Sequence, residues 1–448
     1  MGKTIHLKKG YDIKLVGNAQ STISQLPISD IIASSPSDFR NIIPKLLVQQ
    51  GDEVLAGQAL FFDKNQPEAF FTAPVSGEIV EIVRGDKRRI LEVRILPDKE
   101  IKYAQFTKAN PADLSRDAIV KQLTDSGCWN YIRQRPYSLI ARPADQPKAI
   151  FVSCFDSAPL APDLSYMIGL EKESFQAGLS ALKVLANGNL HVSVREEQTT
   201  DWQNGLSAEH VHRFKGPHPA GNVGIQIHHV APIQKGEVIW YVSPQDVIII
   251  GRLFREGRYR AERVVALTGS CVKKPQYVKV LTGQSIKSIT DGRLQTGDNR
   301  IIQGNVLTGQ PATEANFLSF YTNQLTVIPE GKDPEFLGWL LPGLQKLSLS
   351  RTFVSWLFPN RTYSANTNTH GEERAFVMTG QYDKVLPMNI LPVYLLKAIL
   401  AKDVERMEEL GIYEVSEEDF ALCEFVCTSK INVQQIVSEG LELMRAEG

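Results

Sequence analysis

Between Ser35 and Ile95, turn residues recur too closely for a long helix to run through them. Gly51-Asp52-Glu53-Val54-Leu55-Ala56-Gly57-Gln58 is followed by Ala73-Pro74-Val75-Ser76-Gly77-Glu78-Ile79-Val80. Apolar residues then recur at Ile79 and Ile82 and alternate at Leu91, Val93 and Ile95. Short strands between tight turns bury their apolar faces by closing on one another, which predicts a small flattened β-barrel. Beyond a charged linker, Asp98 to Ala112, the pattern changes. Ala149-Ile150-Phe151-Val152 is a continuous apolar run of buried-strand type, Phe175, Leu179 and Leu182 repeat at helical spacing, and Leu190, Val192 and Val194 alternate. This β-α-β succession predicts a Rossmann-like open sheet. Ser243-Pro244-Gln245-Asp246 supplies an N-cap, a proline at the first helical position and an acid at the third. It opens a helix carrying Val247, Ile248, Ile250 and Phe254.

From Arg258 to Ile328 strands return at Arg263 to Gly269, Tyr277 to Val280 and Arg300 to Ile302, the last leading into Gly304-Asn305-Val306-Leu307. Ser285 to Ile289 reads as a short helix among them, and the sum is a small α+β unit. Past Pro329 the chain reads as helical and aromatic-rich. A helix from Val393 to Leu410 would turn Leu395, Leu396, Ile399 and Leu400 inward. A last helix would use Val433, Ile436, Val437, Leu441 and Met444. With 448 residues, the chain exceeds what one core organises at ~150 residues per domain. The expected class is α+β multidomain, divided as 1–100, 101–257, 258–329 and 330–448.

The formal net charge is -1 and the basic residues are scattered, so no footprint for nucleic acid or an anionic surface is expected. No run of ~18 apolar residues occurs, and the amino terminus lacks the apolar centre of a signal peptide, which predicts a soluble chain without a membrane span. Five cysteines, Cys128, Cys154, Cys271, Cys423 and Cys427, are too few and uneven for a disulfide framework. Five of the eight histidines lie between His210 and His229. There the glycines and prolines of Gly216-Pro217-His218-Pro219-Ala220-Gly221 read as a loop, and Val223, Ile225 and Ile227 as a strand. On a strand, His228 and His229 leave on opposite faces and cannot converge on one ion. No H-x-x-x-H or paired-cysteine motif accompanies them, so no metal is expected. His212, His218, His228 and His229 are instead candidates for hydrogen bonding to backbone or for contact with another protein of an assembly.

The stretch Phe214 to Val230, together with Pro74 to Gly77 and Thr369-His370-Gly371-Glu372-Glu373-Arg374, resembles the A subunits of the bacterial sodium-translocating NADH:quinone reductases, and the resemblance covers essentially the whole chain. It implies a peripheral subunit on the cytoplasmic face of the inner membrane, docked chiefly on the integral-membrane B subunit. NADH, FAD, FMN, riboflavin, iron–sulfur and quinone chemistry would lie in other subunits, and this chain would bind no redox cofactor. The barrel resembles a barrel-sandwich hybrid of the lipoyl and biotinyl carriers. There Lys64, after Asp63, stands near the hairpin that holds a modified lysine, although Asp63-Lys64-Asn65-Gln66 is also an ordinary hairpin tip. The third unit resembles a β-grasp module of the soluble-ligand-binding type, and the helical end a ferredoxin domain without clusters.

The same succession of units resembles the flavin- and NADH-binding subunit of respiratory complex I and the C subunit of the Rnf complex, in which a glycine-rich loop receives flavin and nucleotide phosphates. Here Trp129-Asn130-Tyr131-Ile132-Arg133-Gln134-Arg135-Pro136-Tyr137 stands in its place without a glycine. Of the acidic segment after the first strand, Asp156 alone remains in Ser153-Cys154-Phe155-Asp156-Ser157-Ala158-Pro159, and no G-x-G-x-x-G occurs anywhere. Where the Rnf relative carries cysteine runs for four-iron clusters, Lys384 to Pro392 has no cysteine, and Leu422 to Ser429 keeps only Cys423 and Cys427. Two thiolates cannot hold four irons. These cysteines read as buried residues on a helix whose start is marked by Ser416 and Asp419. Arg133 and Arg135 could bind an anionic ligand, but exposed arginines near a turn are more often solvated or salt-bridged. Phe336, Trp339, Phe353, Trp356 and His370 have the composition of a quinone wall and equally of a subunit interface. An autonomous flavin- or nucleotide-binding oxidoreductase is the alternative, and no catalytic residue is assigned.

Overall fold

The computed structural model describes residues 2–198, 201–203, 210–332, 338, 340, 342–347 and 349–447. The barrel is built from two small antiparallel sheets. One contains Ile32–Ser34, Ile90–Pro97, Gly77–Arg84 and Glu53–Val54, the other Pro44–Leu46, Ala59–Asp63 and Gln66–Thr72. Phe39, Leu60, Phe61, Phe71, Val75, Ile79, Val93 and Ile95 fill the space between them. Gly77 is required where the sheets close. Its φ is +151°, and a Cβ there would lie 1.9 Å from the Leu96 carbonyl oxygen. Lys64 is exposed at the tip between Ala59–Asp63 and Gln66–Thr72, a turn fixed by Asp63 Oδ1 accepting from the Ile43 and Asn65 backbone N–H groups.

The first 25 residues do not sit with the barrel core. Thr4–His6 pairs in parallel with Val211–Lys215, and Gln20–Gln25 pairs in parallel with Gln276–Leu281, so the amino end supplies an edge strand to each of two other sheets. Such isolated strands carry no local sign of a partner roughly two hundred residues away.

The larger of these sheets has seven strands. In order they are Thr4–His6, Val211–Lys215, Leu190–Arg195, Ile150–Ser153, Ile239–Tyr241, Arg133–Arg135 and Leu139–Ile140. The first five run parallel, and the last two pair antiparallel at one edge. Alternate residues of the central strand face opposite layers. Ile150 and Val152 pack with helices Lys172–Leu185 and Pro244–Glu256, while Ala149 and Phe151 pack with helix Val223–Val230. The two helices on the first face touch through glycines, where a Cβ on Gly251 would lie 1.7 Å from the Ser174 carbonyl oxygen. Ser243 caps Pro244–Glu256, its side chain accepting from Asp246 N, as its sequence predicts.

The expected strand at Val223, Ile225 and Ile227 is instead the helix Val223–Val230. Its alternation has a different origin: Ile225 packs toward the C-terminal helices and Ile227 toward the sheet, so apolar residues occupy two sides of one helix. In eight residues that pattern mimics a strand.

The six-stranded sheet runs Gln310–Ala312, Asn299–Gln303, Gln324–Pro329, Glu262–Thr268, Gln276–Leu281 and Gln20–Gln25. Its core includes Val265, Val278, Ile301 and Val327 with Ile286 and Ile289 of the helix Ile286–Thr290. The C-terminal unit departs from expectation twice. Among the described residues between Pro329 and Tyr382 the only helical element is the 3-10 turn Val354–Leu357, and the first α-helix of the end is Tyr382–Val385. The expected helix Val393 to Leu410 is two helices, Pro392–Leu400 and Val404–Glu409. Lys402 adopts φ +55° between them, and the Asp403 side chain caps the second by accepting from Arg406 N. Leu395, Leu396 and Ile399 are buried, whereas Leu400 faces outward at 54 % exposure. Helix Val433–Glu447 closes the chain on the expected residues. Among the described residues no helix is long and apolar enough to cross a membrane.

Candidate functional site

In an open parallel sheet, ligands settle outside the carboxyl ends of the strands where the strand order reverses. Here that point lies between Ile150–Ser153 and Ile239–Tyr241, since successive strands build outward from Ile150–Ser153 on one side and the chain then returns to its other side. The loop Cys154 to Ser157 leaves the first strand at this edge. Ser157 Oγ accepts from Gly221 N at 2.8 Å and lies 3.1 Å from His218 Nδ1, and a Cβ on Gly221 would come within 2.5 Å of Ser157 N. Asp12 accepts from the backbone N–H of His218 rather than from its ring, so the serine and imidazole lack the orienting carboxylate of a hydrolytic triad. Burial pushes His218 down to about 4, leaving a neutral ring. Asp156 accepts from Ala158 N at 2.8 Å and is raised by burial; it shapes a local turn.

The opposite wall is Arg133–Arg135. The Arg135 guanidinium is buried and meets Glu418 at 2.5 Å and Asp419 at 3.4 Å. Asp419 Oδ2 also accepts from Ser416 N and Oγ at 3.0 and 3.1 Å, completing the capping box that Ser416 and Asp419 signal in the sequence. The same carboxylate lies at the first turn of helix Val223–Val230, where a Cβ on Gly224 would approach its Oδ2 to 2.4 Å. Asn222, the residue before that helix, donates its Nδ2 to the Glu418 carbonyl at 3.1 Å. A helix N-terminus beside an arginine is a place for an anion, and here the chain supplies its own. Burial raises the Asp419 carboxyl, against the opposing pull of Arg135 and Ser416.

Side chains also fill the floor. Trp129 is buried, donates Nε1 to the Ala141 carbonyl at 2.7 Å and meets Trp240 edge to face at 5.4 Å. Tyr131 shares a 2.9 Å hydrogen bond with Tyr259 and stacks on Phe320. The Arg133 guanidinium is sandwiched between the Tyr241 and Tyr321 rings, 4.7 and 4.5 Å from their centroids.

The four histidine candidates make their contacts within the chain. His212 is buried, accepts from Lys3 N at 3.1 Å and lies 2.9 Å from His191 Nδ1; burial pushes both rings down to about 4. His228 and His229 project from the helix, not from a strand, toward the C-terminal unit. His228 Nε2 accepts from Asn389 N, so its Nδ1–H donates to Glu414 at 2.8 Å, and His229 Nε2 donates to the Pro387 carbonyl at 2.9 Å. Among the described residues no three His, Cys, Asp or Glu side chains gather as a metal site. Cys423 and Cys427 are buried, with Tyr382 Oη donating to Cys427 Sγ.

Of the aromatic candidates, Trp356 is 47 % exposed, Phe353 is half-buried against Gly343, and His370 is exposed with φ +51°. Phe336 and Trp339 lie outside the described residues. Glu414 and Glu418 had no sequence signal, because their partners lie far away along the chain.

Three family models match in succession: the NqrA N-terminal barrel-sandwich hybrid domain over residues 5–98, the NqrA second alpha/beta domain over 114–259 and the NQRA C-terminal domain over 264–314. A relative from Yersinia pestis bv. Antiqua (strain Angola), the A subunit of a Na(+)-translocating NADH-quinone reductase, is 38 % identical over 448 residues, covering 99 % of this chain and 100 % of the relative. The chain belongs to the NqrA family. The corresponding NqrA proteins of Hahella chejuensis and Vibrio atlanticus are 38 % and 36 % identical, each over 99 % of this chain and 100 % of theirs. Among solved structures, an NAD+-reducing [NiFe]-hydrogenase in the air-oxidized state gives a TM-score of 0.38 at 13 % identity, covering 75 % of this chain and 62 % of that one. The names of the NqrA relatives describe components of a complex that moves sodium and passes electrons from NADH to quinone. In this chain the arginine at the crevice, Arg135, is met by Glu418 and Asp419.

Proposed function

We propose that the chain is a docking subunit of a sodium-pumping NADH:quinone oxidoreductase, without a redox cofactor of its own and not catalytic alone. On this reading it sits on the cytoplasmic face of the bacterial inner membrane, held chiefly by the integral-membrane B subunit. NADH oxidation, with its FAD, FMN, riboflavin and iron–sulfur centres, and the coupling of quinone reduction to Na+ export belong to the other subunits. The observation that carries this reading is the crevice closed by Arg135, Glu418 and Asp419, at the point where an open parallel sheet would receive a nucleotide. The seven-stranded unit is then a Rossmann-like domain whose ligand is replaced by the chain itself. The six-stranded unit is a β-grasp module, and the helical end a ferredoxin-like domain that kept two buried cysteines and no cluster. The four histidines act inside this assembly. Docking and any border of the quinone site fall to the aromatic segment of Phe353, Trp356 and His370, with Phe336 and Trp339.

The test is recovery of the tagged chain from detergent-solubilised membranes of its own cell, assayed for sodium-stimulated reduction of quinone by NADH. Activity that follows the tag supports the reading. A stable chain recovered alone, carrying flavin absorbance, would overturn it in favour of an autonomous flavin- or nucleotide-binding oxidoreductase.

A further inference from the structure

The described residues between Pro342 and Phe358 form a loop closed on itself. Val354 N donates to the Pro342 carbonyl at 3.0 Å, Ser355 Oγ to the Lys346 carbonyl at 2.5 Å, and Phe353 packs on Gly343. Leu347 and Leu349 anchor it on the C-terminal core. Its remaining apolar side chains point away from the protein: Leu344 46 %, Val354 40 %, Trp356 47 %, Leu357 54 % and Phe358 51 % exposed. Five large apolar residues left in water on one loop require a partner, and the charge around them indicates which. From Phe336 to Gly371 the sequence has no aspartate or glutamate, while Lys346, Arg351 and Arg361 are basic. Arg351 lies over the Trp356 ring at 5.4 Å, and Lys14 reaches across to the Pro359 carbonyl at 3.0 Å, bringing a further cation to the edge of the loop. Among the described residues no carboxylate pairs with Lys14, Arg351 or Arg361, although arginines elsewhere in the chain, such as Arg40, Arg135, Arg252, Arg263 and Arg300, are so engaged.

We infer that this loop seats the chain directly on an anionic lipid surface. Trp356, Leu357 and Phe358 enter the boundary between headgroups and acyl chains, while Lys14, Arg351 and Arg361 meet lipid phosphates. Tryptophan favours that boundary, the arginine stem can lie along apolar surface with its head among phosphates, and apolar insertion combined with basic residues is what a peripheral anchor needs. The inference rests on the reading that the chain works at a membrane. It adds a contact with the bilayer itself beside the contact with protein.

The test is flotation of the full chain with vesicles of phosphatidylcholine alone and of phosphatidylcholine containing phosphatidylglycerol. The chain is expected to float with the anionic vesicles, to lose that binding in high salt, and to bind neutral vesicles far less. R351E/R361E should lower anionic binding by about tenfold or more, and W356S/L357S/F358S should abolish it with the far-ultraviolet spectrum unchanged. Absence of flotation on anionic vesicles overturns the inference, as does flotation that neither variant alters. If W356S/L357S/F358S prevents recovery of the complex while the wild type ignores vesicles, the loop is a protein contact. Failure of the wild-type chain to recover the complex would strike the functional reading instead, whatever the vesicles show.

Discussion

The crevice at the sheet edge and the loop around Trp356 are opposite solutions to the same problem of unsatisfied surface. In the first, a position suited to an external anion is occupied by Glu418 and Asp419 from the far end of the chain. In the second, apolar side chains stay in water with cations beside them. The chain's own carboxylates close the crevice, whereas the loop leaves an apolar edge exposed with cations beside it.

The largest effect expected from breaking this contrast is at Arg135. Arg135→Ala leaves the buried Asp419 carboxylate without its cation and should cost about 3–5 kcal/mol, read as a fall in the urea midpoint, because removing one partner strands buried charge. Next comes acid. His191, His212 and His218 are pushed down to about 4, so in the pH range between 6.5 and 4 the unfolded chain binds protons that the folded chain does not. Stability is therefore lost as pH falls through that window. His218 alone accounts for up to about 3 kcal/mol. Asp38, raised to about 7 by burial, acts in the opposite direction: its neutral form favours the folded state, so its contribution falls as pH rises. Urea midpoints from about pH 7 to about pH 4 should drop for the wild type and drop less for His218→Asn. Gly224→Ala is smaller. Its Cβ would press on the Asp419 carboxylate, costing about 1–3 kcal/mol and loosening the C-terminal unit, which protease nicking after Pro387 would report. Smallest is Trp356→Ser, expected to change stability by less than about 0.5 kcal/mol while reducing vesicle flotation; a large loss of stability there would remove the contrast between closed and open regions.

Local chemistry was legible in the sequence wherever a structural decision is local. Gly57 and Gly77 mark the turns of the barrel, Ser243 with Pro244 starts its helix, and Ser416 with Asp419 forms the capping box. The helix Val223–Val230 has the pattern of a strand because it is buried on two sides, and the break at Lys402 has no signal because nothing before Asp403 announces a second cap. The crevice was half legible. Loss of glycine between Trp129 and Tyr137 suggested filled space, but the filling depends on Arg135 meeting residues 283 and 284 positions later. Pairings at that range have no local pattern to read.

The amino-terminal strands carry a consequence for synthesis. Thr4–His6 lies against Val211–Lys215, and Gln20–Gln25 against Gln276–Leu281. As the polypeptide leaves the ribosome, the barrel that follows these strands has all its own residues after Pro97, yet the first strand has no neighbour until residue 215 emerges and the second none until residue 281. Strands made before the barrel are thus placed after it.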